Sequence, residues 1–592
     1  MASLSAFVCS RERLVVFVIS VFFTLVAAAE DTTSVGQITV ESNAPGNGLM
    51  IQEDTPKARS SVTRSAIEQN SGLNNPFQMI NLLPGVYSFS PDGTGLFSDS
   101  GVGLSMRGFS GSQIGVTVDG VPVNDSGNFG VYPAEFGEPE NLQEIFITQG
   151  SSETDAPHVG SSGGNIGLVT SSPLEKSRML VQQTFGNYNA RKTYARLDSG
   201  YLLDNKLKSF ISYSEATADK WKGTGKADRK HLDFKSVLDI KPGNTITAGL
   251  QWQRIFNNNL RTLTLAQIAA LGRNADFGTI APQHLTSVNG APVVEAPSAD
   301  PNYHYYNLSL NPFDVGIATL KGNFQLSPTL RLDVEPYYLY EYGMGGDELS
   351  TLKEGNSLSQ FGGGIRDINH NGNTLDTVLV YRGTVTETHR HGVTVRLSTQ
   401  IDNQKLMLGY WYEYAHHGRT QPAVPIDSSG NSVDPWLQNP ANYLLLQNGT
   451  PYQGRNYLTI NKADSLFLQD DISLMNDKLK LVPGVHTTGL KRDFTNYPSN
   501  GGGDGASYTA QGEYFKTLPS LGARYQLNNE RQLFFNVANN FSAPPDSIFY
   551  GLLNGGAIVN GVLTGATMSS VNVTAQKPRP TMIWATATRA RI

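Results

Sequence analysis

At 592 residues, with a formal net charge of -6, the chain is far longer than one ordinary globular core. It carries no basic stripe of the kind a nucleic-acid partner requires. A hydrophobic content of 39% and a mean hydropathy of -0.27 exclude a bundle of apolar membrane helices. They leave open a membrane β-barrel, whose alternating strands average to a polar-looking composition. The 60 glycines, 25 tyrosines and 26 phenylalanines suit a turn-rich, aromatic-rich β protein.

Residues 1–29 read as a secretory signal. Arg11 and Arg13 flank Glu12, and the apolar run over 14–26 is short of the roughly 20 residues a spanning helix needs. Ala27-Ala28-Ala29 then offers small residues for cleavage. The only cysteine, Cys9, lies ahead of the apolar run, so the mature chain would hold no disulfide, as suits a bacterial envelope protein. Residues 30–54 read as a flexible polar segment. Within it, Gln37-Ile38-Thr39-Val40-Glu41-Ser42 alternates and is β-prone, which fits addition as a strand to a partner's sheet edge.

Residues 55–173 read as a small α+β domain, with short helices over 65–69 and over 77–83 before the Pro84-Gly85 stop. Five motifs follow one another here. They are Leu82-Leu83-Pro84-Gly85-Val86, Ser105-Met106-Arg107-Gly108-Phe109, Val116-Thr117-Val118-Asp119-Gly120-Val121-Pro122-Val123, Leu142-Gln143-Glu144-Ile145-Phe146-Ile147-Thr148-Gln149-Gly150 and Gly163-Gly164-Asn165-Ile166-Gly167. The valines around Asp119-Gly120 predict a hairpin, and Ile145 and Ile147 a strand. In order and spacing, the five motifs resemble the plug domain of TonB-dependent outer-membrane receptors. The resemblance implies that Arg107 and Gly108 form a structural turn, that Asp119 and Gly120 form a hairpin, and that Gly163 and Gly164 belong to the plug framework. It implies that Gln37, Ile38, Thr39, Val40, Glu41 and Ser42 are a TonB box, engaging TonB with ExbB and ExbD. It also implies that plug loops face outward and touch the solute, with Phe97, Asp99, Asn128, Phe129 and Tyr132 as the candidate contacts. The few residues between the cleavage point and the box leave no room for an extra signalling domain.

From residue 174 to 578 the texture changes to long two-residue alternation. Leu330, Leu332, Val334, Tyr338, Tyr340 and Tyr342 oppose Arg331, Asp333, Glu335 and Glu341; Leu406, Leu408, Tyr410, Tyr412 and Tyr414 oppose Lys405, Gly409 and Glu413. Alternation over about ten residues, with aromatics gathered near one end, is what a lipid-facing barrel strand requires. Short turns such as Asp204-Asn205 and Asp402-Asn403 exchange with long connections over about 257–312, 343–389 and 418–462. The predicted fold is a transmembrane antiparallel β-barrel with an N-terminal α+β plug. Barrels of the resembled family have about 22 strands, and only about 13 or 14 candidates are present here. After Gln576-Lys577-Pro578 the tail over 579–592 neither alternates nor ends in an aromatic residue. The expectation is therefore a truncation or frameshift just after Pro578, leaving an incomplete barrel.

Three other constellations carry less. Asp367-Ile368-Asn369-His370-Asn371-Gly372 resembles the start of a calcium loop, but the twelfth position is Val378, which supplies no carboxylate, so no metal ligand set is assigned and a calcium-stabilised extracellular loop is kept only as an alternative. His389, His391, His416 and His417 read as loop or rim residues. No hydrolase triad, zinc motif or phosphate loop occurs at useful spacing, so neither an enzyme nor a cofactor is expected. The resemblance implies an outer-membrane active transporter, surrounded by lipid, for an extracellular metallophore, with a ferric siderophore foremost. Cobalamin, haem or carbohydrate uptake, a non-transporting surface receptor and a non-functional remnant are the alternatives.

Overall fold

The computed structural model describes residues 55–588, except 82, 94, 96–102, 134–136, 288, 296–303, 346–348, 356–366, 447–448, 500–506, 529–530, 551–552, 555–556, 560–561, 565–566 and 569–578; side chains are described up to residue 550. The predicted signal and Gln37 to Ser42 lie outside these residues, as do Phe97 and Asp99.

The N-terminal domain begins with β1 (Arg59–Thr63), α1 (Arg64–Gln69) and α2 (Pro76–Ile80). Each helix is set by its cap. The Thr63 hydroxyl accepts the Ala66 amide, while Asn75 and Gln78 form a reciprocal capping box with Pro76 in the first turn. The second helix is shorter than the 77–83 expectation. A small sheet follows, of β2 (Val86–Tyr87), β3 (Ser105–Met106) and β4 (Phe109–Ser110). The domain is completed by β5 (Gly115–Val118), β6 (Val121–Pro122), β7 (Leu142–Gln149) and β8 (Gly164–Thr170), which join β1 in the order β1-β7-β8-β5-β6. Val116, Val118, Ile145, Ile147, Ile166 and Leu168 are buried on these strands and form the domain core.

Most of the described residues after this domain belong to one large antiparallel sheet. Its strands are β9 (Ser177–Phe185), β10 (Arg191–Leu202), β11 (Leu207–Asp219), β12 (Lys226–Lys241), β13 (Asn244–Asn257), β14 (Phe313–Gln325) and β15 (Leu330–Gly345). A side ribbon, β16 (Leu349–Lys353) and β17 (Thr377–Arg382), interrupts the series. It resumes with β18 (Thr384–Ile401), β19 (Gln404–Pro425), β20 (Gln453–Leu474), β21 (Leu479–Asn496), β22 (Tyr508–Asn528) and β23 (Arg531–Asn540). Sequence neighbours pair throughout, and the strand Arg579–Thr588 pairs with β23. The tail is thus strand where the sequence reading saw none. Among the described residues β9 and Arg579–Thr588 are the two ends of the sheet and do not pair, so the sheet is not closed.

Alternation separates the two faces. Along β10, Lys192, Tyr194, Arg196 and Asp198 are buried while Arg191 and Thr193 are exposed. On the opposite phase Leu250, Tyr338, Leu408, Tyr410, Leu466 and Phe515 are exposed, the apolar surface that a lipid-facing band needs. Strands run further than the sequence predicts, and β19 and β20 have 22 residues each. The long connections shrink accordingly to 258–312, 346–383 and 426–452. His389, His391, His416 and His417 lie in β18 and β19 rather than in loops.

Candidate functional site: the seam between plug and sheet

The N-terminal domain is packed against the inner face of the sheet. Its apolar core is continuous with Ile317, Leu339, Trp411, Phe467, Leu490 and Leu518 of the strands. Polar contacts surround it. Glu138 receives Lys192 at 2.6 Å and Arg229 at 2.8 Å, and Lys192 also meets Glu140 at 2.7 Å. Asn141 bonds Tyr194, Arg196 and Ser212. Further round, Arg390 donates to the Asn124 carbonyl and pairs with Glu413, while Arg396 pairs with Asp155. On the far side Asn461 and Arg492 donate to the Ser126 carbonyl, Asn540 to the Gly150 carbonyl, and Ser151 to Asn536.

The predicted framework residues sit at turns. Arg107 (φ 50°) and Gly108 (φ 83°) connect β3 to β4, and the Arg107 Nε donates to Gln149 at 2.6 Å. Asp119 (φ 49°) and Gly120 (φ 89°) connect β5 to β6, the left-handed pair a two-residue hairpin demands. The Asp119 carboxylate accepts the Thr170 amide and pairs with Lys235 of β12 at 3.0 Å. Burial opposes its charge, but Lys235 and Lys321 hold the carboxyl below its ordinary range. Gly163 packs beneath Phe109, and a Cβ on Gly164 (φ 114°) would lie 2.0 Å from the Thr148 carbonyl. Glu138 is likewise buried, yet Lys192, Arg229 and His231 outweigh that and hold its carboxyl down at about 2.

The candidate solute contacts divide. Asn128 and Tyr132 are half-buried and bonded to each other at 3.1 Å. Phe129 is buried, at 7% exposure, under the Arg492 guanidinium 4.8 Å from its ring. This corrects its reading as an exposed contact: Asp125 accepts the Gly127 and Asn128 amides, and the resulting turn folds the ring inward. A cavity of about 40 Å³ lies beside this turn, lined in part by Asn124, His158, Arg390 and Trp411. It has room for water and not for a solute.

Sequence reasoning missed the strand side of the seam. Lys192, Arg196, Arg229, Lys235 and Arg492 were legible only as the polar phase of alternating strands, and that phase reads equally well as solvated lumen. Among the described residues no group of three or more His, Cys, Asp or Glu side chains is arranged to hold a metal ion.

The TonB-dependent receptor plug domain model matches residues 51–164, and the TonB-dependent receptor-like β-barrel model matches residues 289–575, together more than half of the chain. No curated protein sequence matches. Among solved structures, the ferric citrate transporter FecA is similar at 17% identity and a TM-score of 0.58, over 82% of this chain and 63% of that one. The siderophore receptor PiuA from Acinetobacter baumannii is similar at 15% identity and 0.56, over 83% and 65%. The ferric-catecholate import receptor Fiu from E. coli K12 is similar at 14% identity and 0.58, over 90% and 73%. The chain thus spans less than two thirds of the length of the first two. With a plug seated on the inner face of a lipid-facing antiparallel sheet, and with both domains matched, the chain belongs to the TonB-dependent receptors of the bacterial outer membrane.

Proposed function

We propose that the protein is an active transporter that carries a ferric siderophore inward across the outer membrane, driven through TonB with ExbB and ExbD. The observation that carries the reading is the seam, in which a distinct plug domain packs on the inner face of the sheet through a shared apolar core and surrounding polar contacts. Opening such a passage takes work, and no covalent chemistry on the solute is needed. The similar structures named for ferric citrate, siderophore and ferric-catecholate uptake support iron as the cargo, as analogy between folds. Gln37 to Ser42 would add as a strand to TonB, and Phe97, Asp99, Asn128 and Tyr132 would meet the solute.

Growth of the host on a panel of ferric siderophores, with the gene intact, deleted, or lacking codons 37–42, tests this. Loss of growth on one siderophore in both altered strains is expected. Equal growth of all three strains on every siderophore sinks the iron reading. Growth lost on gene deletion but kept without residues 37–42 sinks the TonB coupling and leaves a passive receptor. The same panel extended to cobalamin, haem and carbohydrates separates those cargoes.

A further inference from the structure

The connection between β15 and β18 holds a second polar cluster, remote from the seam. Over residues 367–376 the backbone is wound by side-chain oxygens. Asp367 accepts the Asn371 and Gly372 amides, Asn369 accepts that of Asn371, and Asn371 accepts that of Asn373. Successive Asx turns of this kind are commonplace and do not by themselves indicate a ligand.

Two further observations do. Glu354, just after β16, is fully buried, and one of its oxygens accepts the Ile368 amide, inside the loop. Its other oxygen, Oε2, is buried without any hydrogen-bond partner. A buried carboxylate oxygen left unsatisfied is costly unless something positive completes it. Secondly, Asp376 receives the side-chain NH2 groups of both Asn369 and Asn371 on one oxygen, at 3.2 and 2.6 Å. That arrangement fixes both amides by their nitrogens and turns their oxygens away from Asp376, as partners behind metal ligands do.

We propose that Asp367, Asn369, Asn371 and Glu354 form a calcium site in this connection, with Asp376 orienting the two amides. Asp367, Asn369, Asn371 and Gly372 (φ 86°) keep positions one, three, five and six of a calcium loop, and Glu354 replaces the carboxylate that Val378 cannot supply. Two carboxylates match the charge of one dication. An all-oxygen set from an irregular loop suits calcium over magnesium, which demands tighter octahedral geometry. Bound calcium would fasten the connection to Val293 and Glu295, because Asp376 also accepts the Val293 amide and Glu295 accepts the Leu379 amide.

The test is calorimetric titration of calcium chloride into the full chain in detergent, with limited proteolysis of the connection followed in parallel. One calcium per chain is expected, with a Kd of about 10⁻⁴–10⁻³ M as in extracellular modules, together with slower cleavage within 346–383. Glu354→Gln and Asp367→Asn should each weaken binding about tenfold or more, while the β-sheet circular dichroism and the cleavage rate in chelator stay at wild-type values. Absence of binding heat and of calcium-dependent protection in the wild type overturns the proposal. So does unchanged affinity in both variants, or equal affinity for magnesium.

Discussion

The plug meets β10–β12 and β20–β23 through different chemistry. Against β10–β12 the contacts are charged and buried: Lys192 and Arg229 on Glu138, Lys192 on Glu140, Lys235 on Asp119. Against β20–β23 they are mostly single hydrogen bonds to plug carbonyls, from Asn461, Arg492 and Asn540, with Ser151 to Asn536 in addition. A buried ion pair contributes little net stability when intact but is costly to break, since removing one partner strands the other's charge. A single hydrogen bond to a carbonyl is cheaper to lose. The contacts with β10–β12 are therefore an all-or-none fastening, and those with β20–β23 a series of small independent ones.

The largest expected effect comes from Lys192→Met, which leaves Glu140 and part of Glu138 buried without their cation. Plug docking should weaken by about 3–5 kcal/mol, read as a rise in hydrogen exchange across β7 and β8. A rise confined to contacts with β20–β23 would reverse the assignment of the two regions. Next comes acid. The Glu138 carboxyl is held at about 2, below its ordinary 4.5, so its contribution is complete above about pH 4.5 and is lost as pH falls toward 2. Exchange at the β10–β12 seam should rise in that window before exchange at the β20–β23 seam. Simultaneous loosening would show that charge does not distinguish them. The smallest effect is Asn540→Ala, which removes the donor to the Gly150 carbonyl and should cost about 1–2 kcal/mol by the same measurement. A loss as large as that of Lys192→Met would erase the contrast.

Much of the plug was legible because its turns need particular residues. Asp119-Gly120 takes two left-handed conformations, which few pairs adopt without strain. The membrane strands were legible where one face meets lipid, since alternation is then enforced. Beyond that band the enforcement stops. Thr384 to His389 and Arg419 to Pro425 are strand, but neither face is uniformly apolar, so they read as loop. Phe129 was misread for a different reason. Its cover, Arg492, lies hundreds of residues away in sequence, and no local pattern announces a cation placed over a ring. Lys192 and Arg229 were equally silent until Glu138 stood opposite them.

The long strands have a thermodynamic consequence. A strand of 22 residues extends about 75 Å, or about 55 Å along the barrel axis at the usual tilt, against an apolar band about 25 Å tall. Much of β19 and β20 therefore stands clear of the membrane as ordered sheet. Residues already fixed in a ladder have surrendered their conformational entropy on folding and give up little more when a solute arrives. Association at this wall should show a small ordering cost, and its heat-capacity change should track the apolar area covered, without a large term for folding of loops.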